Sequence, residues 1–499
     1  MKEKGSGPIA VWYRQDLRVA DHPALTAAAE EARRLGTGLL GVYCFEDREF
    51  ERAPLQGWPR TGAFRARFLL ESVEELRATL RQLGSDLIVR RGSPARVLEQ
   101  LALETGLQRI DFHRLMGTEE RQVEDELRRA LESAGVHVVS HHDRTLHAEY
   151  PFEQEKLPEV FTAFRKRVEK YATIAAPLDA PSALPGPPAV DPGEIPSLTD
   201  LGLEEPTDDP RAILRYRGGE AAGHERLRTY LASGKLSTYK ETRNGLVERN
   251  DSAKLSPWLS LGCLSCRTVQ AAVVDYEAAE GANESTYWMT FELLWRDYFQ
   301  LIVRKHGAAV FQPGGLQRFP VEWKHNGDLF EAWRLGRTGY PFVDASMREL
   351  LATGFMSNRG RQNVGSFLTK NLGLDWRLGA EWFESQLIDH DVASNYGNWN
   401  YVAGVGNDAR GFRYFHIPKQ ARQYDPQGDH ARLWVPEVAS LRHDEIHTPW
   451  ELSAARLAEA GIVLGRDYPE PIVDLETSQR EQRAGWERAA ARISTRGPS

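Results

Sequence analysis

Residues 388–401 read IDHDVASNYGNWNY. Two carboxylates, Asp389 and Asp391, flank His390, and three asparagines, two tyrosines and a tryptophan follow. Acids beside an imidazole can coordinate a metal ion. Amides beside aromatic rings can instead line a pocket for a flat molecule with a polar edge. The stretch alone leaves both chemistries open.

Four further segments could do chemistry. In 239–262, YKETRNGLVERNDSAKLSPWLSLG, Ser256 stands before Pro257 and an apolar run, which is the start signal of a helix capped by Ser256. Free backbone N–H groups at such an end attract phosphate, and Ser252 and Lys254 add a hydroxyl and a cation. In 291–299, FELLWRDYF, Glu292, Trp295, Arg296 and Phe299 share one helical face. An unpaired charge is costly in a core, so this face is a pocket wall or its charges pair elsewhere. In 357–367, SNRGRQNVGSF, Asn358 and Gln362 lie four apart and project together from a helix. In 404–424, GVGNDARGFRYFHIPKQARQY, Arg410, Arg413, Lys419 and Arg422 alternate with Phe412, Tyr414, Phe415 and Tyr424. Cations for phosphates and rings for bases suit a single-strand groove. An ordinary capped helix, a solvated face and a charged loop are the plain alternatives.

The elements that must position these groups fall into two patterns. Before about residue 142, short apolar runs (9–14, 38–45, 86–92, 110–113, 136–142) alternate with helix-like stretches near 22–35, 60–83, 95–105 and 119–134. That alternation predicts a doubly wound parallel sheet over residues 8–142. The turn after the first run carries no GxGxxG, and no GxxxxGK[ST] occurs, so the usual dinucleotide and triphosphate loops are missing. Residues 143–215, proline-rich near 177–200, read as an extended linker. Residues 216–480 read as an all-α domain, and 481–499 as a polar tail. Eleven of the thirteen tryptophans stand at or after Trp258, several beside charges, so filling a core does not account for all of them.

At 499 residues, 41% hydrophobic and 27% charged, the chain is of the globular, multi-domain class. No apolar run approaches the about 20 residues that span a bilayer, and a strand begins by Ile9. A cytoplasmic protein is expected. Cys44, Cys263 and Cys266 are too few for a disulfide framework or a zinc ribbon; the CxxC reads as two small packing residues. A net charge of −8 argues against a general nucleic-acid coat but allows a local basic groove.

In order along the chain, the motifs resemble the photolyase/cryptochrome family, specifically its DASH branch. The resemblance is carried by WYRQDLRVADHPAL (12–25), YKETRNGL, LSPWLSLGCLS (255–265), GYPFVDASMREL (339–350), IDHDVASNYGNWNY and FHIPKQARQYDPQGDHARLWVPEV (415–438). It implies an α/β domain, a long connector and a helical domain holding FAD. By position, Tyr239, Ser252, Ala253, Lys254, Leu255 and Ser256 resemble the phosphate-contacting segment, and Arg296 resembles a residue of the FAD cavity. Asp389 resembles the acid paired with an arginine beside the flavin, here Arg361. Asp391 resembles a residue at the ring's polar edge, and Asn395 the one facing its N5. On this resemblance the aspartates face a heterocycle and a guanidinium, and no metal is expected.

Trp399, Trp376 and Trp323 match the family's electron-relaying rings, and Glu292, Trp295 and Asn358 match residues contacting a cyclobutane pyrimidine dimer. Gln362 and Tyr401 stand where duplex-acting enzymes commonly carry methionine and tryptophan. The implied activity is blue-light-driven repair of such dimers, preferring single-stranded DNA, by a monomer. A photoreceptor signalling through a protein partner is the alternative from another class. A second, antenna chromophore is implied too, but Leu115 replaces the acid that contacts methenyltetrahydrofolate in DASH relatives, with Glu119 four residues on. The folate is therefore left unassigned.

Overall fold

The computed structural model describes residues 7–407 and 412–494. The five apolar runs form strands β1 (Ile9–Tyr13), β2 (Leu39–Phe45), β3 (Leu87–Arg91), β4 (Arg109–His113) and β5 (His137–His141). All pair in parallel, in the order β3-β2-β1-β4-β5. Side chains alternate across a strand, so β1 feeds two cores. Ile9, Val11 and Tyr13 pack with helices Pro23–Leu35 and Ala63–Gln82. Ala10 and Trp12 pack with helices Pro94–Thr105 and Thr118–Ser133. Cover on both faces explains why β1 and β2 carry no charged residue at any position. This is the expected parallel α/β sheet, and the second half is helical as expected.

Strand order reverses at β1, so chemistry-bearing groups gather at the carboxyl ends of β1 and β4. There the Asp16 carboxylate lies 2.6 Å from His113 Nδ1 and 3.2 Å from His22 Nε2. The other ring nitrogens accept backbone N–H groups from Ala24 and Leu25. His113 thus turns its remaining N–H to the carboxylate, and His22 Nε2 stands close beside it. Among the described residues these three side chains form the one grouping spaced for a metal ion. With both ring lone pairs taken by the backbone, it is a hydrogen-bonded carboxylate rather than a ligand set. Burial alone would raise Asp16; the two imidazoles outweigh it and hold the carboxyl well below its usual value. Beside it, Asp143 pairs with Arg18 and Arg267, and Arg267 also reaches Asp21 at 2.9 Å. Arg18 donates onward to the Gly262 carbonyl at 2.9 Å, tying the sheet to the helical half.

Two expectations need correction. The connector is not extended throughout: it contains helix Phe161–Tyr171, whose buried Phe161, Phe164 and Val168 repeat at helical spacing. Its proline-rich part does run along the sheet, where Gly186 and Pro192 carbonyls accept the Leu39 and Val89 N–H groups. The supposed polar tail from 481 is helical to Ser494, because Trp486 stacks on Phe319 and Ala489 is buried. A charge-rich sequence hid that sparse apolar stripe.

In the helical half, Asn283 opens helix Glu284–His306 with a capping box shared with Thr286. Helix Val392–Ala403 crosses it closely, since a Cβ on Gly397 would lie 2.3 Å from the Phe299 ring. A Cβ on Gly379 would likewise come within 2.2 Å of Trp399. No helix among the described residues is long and apolar enough to cross a membrane.

Asp143→Ala takes the carboxylate from the buried Arg18 and leaves Arg267 with Asp21 alone, and breaking such a buried pair costs about 3–5 kcal/mol. The urea midpoint should fall accordingly; a midpoint equal to the parent's would show that this junction does not hold the halves together.

Candidate cofactor and substrate site

The two aspartates of the DHD stretch diverge. The Asp389 Oδ2 accepts from Arg361 at 2.8 Å and from the Ser256 hydroxyl at 2.6 Å. Asp391 caps helix Val392–Ala403 through the Ser394 N–H, and also accepts from Arg144 and from Gln300, each at 2.9 Å. His390 between them is half-buried, and desolvation with Arg65 nearby lowers it to about 4. Two acids pointing at different arginines do not make a ligand shell. The pocket reading of the stretch survives the geometry.

Asp391 is buried, yet its carboxyl is brought down to about 2, because Arg144, Arg296 and the Ser394 cap outweigh desolvation. Burial and the neighbouring Arg296 lower Arg144 to about 10, so both partners stay charged at neutral pH. Arg296 itself donates to the Arg144 carbonyl, the Leu259 carbonyl and the Cys266 sulfur. Asn395, one turn into the helix, is buried and donates to the Ala380 carbonyl at 3.0 Å. Cys263 meets Ser72 and Cys266 meets Arg144, so the two thiols make separate packing contacts.

The 250–256 loop is held from below by Arg226, which donates to the carbonyls of Ala253, Ser252 and Arg249. Lys254 has φ +51°, an uncommon conformation for a residue with a Cβ, and its ammonium donates to the Glu248 and Arg249 carbonyls. Burial lowers it to about 8. The expected N-cap is corrected here. The short helix runs Ser256–Ser260 with Leu255 at the cap, and the Ser256 hydroxyl turns to Asp389 because that carboxylate is the stronger acceptor. Tyr239 is buried beside Tyr230.

Asp389 Oδ1 is buried and has no protein partner. A buried acceptor left open costs free energy, so this atom calls for a hydroxyl or N–H brought by a ligand. With Arg361 half-buried alongside, the set fits a cofactor that carries hydroxyls, ring N–H groups and phosphates. The residues present fit FAD.

A second cluster adjoins it. Glu292 pairs with Arg243 at 2.6 Å and accepts from Trp288 Nε1 at 3.2 Å. Burial raises its carboxyl, against the pull of Arg243. Trp295 stacks on Phe161 at 3.7 Å and meets Tyr401 edge-on at 5.9 Å. Asn358 is exposed at the start of helix Asn358–Ser366, and Gln362 follows one turn later, half-buried. Arg359 donates to Asn244 at 3.0 Å, so residues 243–244 bridge the Glu292 and Asn358 helices. Arg359 also lies over the Tyr424 ring at 4.2 Å.

Of the basic stretch, Arg410 lies outside the described residues. Arg413 covers the Phe415 ring at 4.7 Å, while Lys419 and Arg422 are exposed on helix Ile417–Tyr424. Among the relay candidates, Trp399 and Trp376 are buried and Trp323 is half-buried. The indole N–H groups of Trp376 and Trp323 converge on one carbonyl, that of Pro313, at 3.1 and 3.0 Å.

Sequence reasoning missed Arg144, Gln300, Arg226 and Arg243. Arg243 sits inside the quoted YKETRNGL and could have been singled out as the counter-charge that Glu292 needs. The other three act across long sequence separations and carried no local signal.

At the sheet's carboxyl edge, a cleft of about 90 Å³ is bordered by Tyr13, Arg14, Glu46, Leu115 and Glu384. Arg60 bridges it, pairing with Glu119 at 2.9 Å and Glu384 at 3.0 Å. Leu115 is buried and offers its backbone N–H to Glu124, so it presents no acid to the cleft.

Comparison with known proteins agrees with this geometry. Residues 9–185 match the family model for DNA photolyase, and 288–488 that for the FAD binding domain of DNA photolyase. A cryptochrome DASH of Gloeobacter violaceus is 53% identical over 486 residues, 96% of each chain. One from Synechocystis sp. is 47% identical over 479 residues, 95% of this chain and 97% of that one. A solved Synechocystis cryptochrome superposes with TM-score 0.92 at 46% identity, covering 96% of this chain and 98% of that one. A class III photolyase from Agrobacterium tumefaciens gives 0.85 at 30% identity, with 97% and 98% covered.

The depressed Asp391 carboxyl stabilises the fold above its unfolded value of about 3.9 and loses that contribution as pH falls through about 2. The contribution is about 2 kcal/mol. Asp391→Asn should lower the melting temperature at neutral pH and flatten the loss of stability between about pH 4 and 2 in thermal scans. A parallel acid limb in the variant would contradict the assignment.

Proposed function

Because the chain belongs to the photolyase/cryptochrome family, alongside DASH cryptochromes, we propose that it is a light-driven, FAD-dependent DNA repair enzyme that splits cyclobutane pyrimidine dimers, preferentially in single strands. The observation that carries this reading is the adjacency of the two clusters. Arg361, which with Ser256 holds Asp389, sits on the same helix as Asn358 and Gln362, so a bound cofactor and a bound base share one wall.

FAD, when bound, supplies light absorption and one-electron transfer. Arg361 and Asp389 anchor its polar groups, with Ser252, Lys254 and Ser256 toward the phosphates. Asp391, pinned by Arg144 and Gln300, sets the direction of the helix that carries Asn395. Asn395 offers an amide, which donates or accepts without bringing charge into a dry site. Glu292, Asn358 and Gln362 hydrogen-bond the base edges, and Trp295 with Tyr401 forms an aromatic corner for the flipped dimer. Burial raises the Glu292 carboxyl while Arg243 pulls against it. Arg243 and Arg359 stand at the rim, with Lys419 and Arg422 beyond, where backbone phosphates approach. Trp399, Trp376 and Trp323 lead from the interior toward the surface as an electron relay.

The strand preference has a physical basis. Extruding a base pair from a duplex costs a few kcal/mol, and a corner built from Gln362 and Tyr401 offers less apolar stacking area to offset it. In a single strand most of that cost is absent.

Repair of dimer-bearing oligonucleotides by the photoreduced protein under blue light should run about 10- to 100-fold faster on single strands than on matched duplexes. Glu292→Ala should slow single-strand repair by about 10- to 100-fold, equivalent to about 1.5–3 kcal/mol of lost hydrogen bonding, while flavin content stays unchanged. Intact dimers after illumination of the parent protein would falsify the repair reading; equal rates on both substrates would remove the strand preference alone.

A further inference from the structure

Tyr396 lies between Asn395 and the relay, and the repair reading gives it no task. Its ring meets Trp376 edge-on, centroids 6.2 Å apart at 80°, and meets Phe311 at 4.7 Å on another side. Its hydroxyl donates to Glu384 Oε2 at 3.1 Å. Tyr150, Tyr287, Tyr396 and Tyr468 each donate to a carboxylate. Of these, Tyr396 is the one packed against a tryptophan of the relay.

Glu384 is equipped to receive a proton. Arg60 pairs with its carboxylate at 3.0 Å, and Arg65 fixes its backbone carbonyl at 2.7 Å. Desolvation raises this carboxyl, but His390, Arg60 and Arg65 together prevail and lower it, so it stands ionised. It also borders the cleft between the sheet and the helical domain, which gives a proton a way toward solvent. The Tyr396 phenol, by contrast, is pushed well above its usual value by burial and by Glu384 and Glu381. It therefore keeps its proton until it is oxidised. Removing an electron from a half-buried phenol without moving its proton would leave a charge poorly compensated by solvent. An ionised acceptor at hydrogen-bond distance avoids that cost.

We propose that Tyr396 is a redox-active tyrosine, giving an electron to oxidised Trp376 while its hydroxyl proton passes to Glu384 Oε2. This rests on the relay reading of Trp399, Trp376 and Trp323. The electron balance is closed. The oxidant is a photoexcited oxidised flavin, to which one electron has passed along the tryptophans and left Trp376 as a radical cation. Trp376 regains its electron from Tyr396 and becomes neutral. The O–H bond of Tyr396 breaks, leaving a neutral tyrosyl radical, and Glu384 becomes a carboxylic acid. The outcome is an oxidising equivalent stored as a neutral radical, beside a cleft rather than on the cationic tryptophan chain.

Flash illumination of the FAD-loaded protein, with the flavin oxidised beforehand, tests this by transient absorption and electron paramagnetic resonance. In the parent, the tryptophan radical should convert to a neutral tyrosyl radical, more slowly in heavy water. Tyr396→Phe, which removes one oxygen and keeps the ring, should abolish the tyrosyl signal and lengthen the tryptophan radical's life. Glu384→Gln, which retains a hydrogen-bond acceptor of weaker basicity, should do the same in protein shown by melting and flavin content to be folded and loaded. A tyrosyl signal that survives Tyr396→Phe, or a tryptophan lifetime that ignores it, overturns the proposal and leaves the relay standing. A parent protein that forms no tryptophan radical overturns the relay and this proposal together.

Discussion

The helical half is organised around one buried carboxylate. Asp391 caps helix Val392–Ala403, accepts from Gln300 in the middle of helix Glu284–His306, and pairs with Arg144 at the start of the connector. Three pieces of chain far apart in sequence meet at two oxygen atoms. A charge with so little solvent is stable only when every partner is in place, so the arrangement has little freedom to drift. The same helix carries Asn395, Tyr396, Trp399 and Tyr401, and its direction sets where all four point. Gly397 against Phe299 lets it seat that closely.

Charge pairing recurs at the junction between the halves, with a different balance. Asp16 is held by two imidazoles whose tautomers are set by backbone N–H groups of the adjoining helix. Asp143 joins Arg18 and Arg267, and Arg60 spans the cleft from Glu119 to Glu384. These polar contacts join a sheet and a helical domain that also share one apolar core, in which Ile9 of β1 and Ala393 of the site helix both take part. The site is therefore not a pocket within one domain. Its far wall is fixed from the start of the connector, by Arg144 on Asp391.

The separation of the two acids of the DHD stretch is the arrangement's chemical point. Asp389 keeps an open buried oxygen and a shared arginine, which is how a protein leaves a place for a ligand. Asp391 keeps none, which is how a protein fixes a backbone. Adjacent residues of one type thus serve opposite ends, and only their partners tell them apart.

Much was legible in the chain itself. Apolar alternation marked the five strands to within a residue or so, and the i, i+4 spacing of Asn358 and Gln362 anticipated their shared helical face, because local periodicity is what backbone geometry reads. The ordered motifs also identified the family and the bound cofactor. The sequence was misleading where local signals compete. Ser256 looked like a cap but answers to Asp389, and the apolar stripe ending in Trp486 and Ala489 was masked by surrounding charge. It was silent on Arg144, Gln300 and Arg226, and on the neighbour of Tyr396. Residue types and spacing determine which groups can do chemistry. Which carboxylate stays open, which is locked, and which ring meets which are long-range pairings, and those are decided only when the whole chain closes around them.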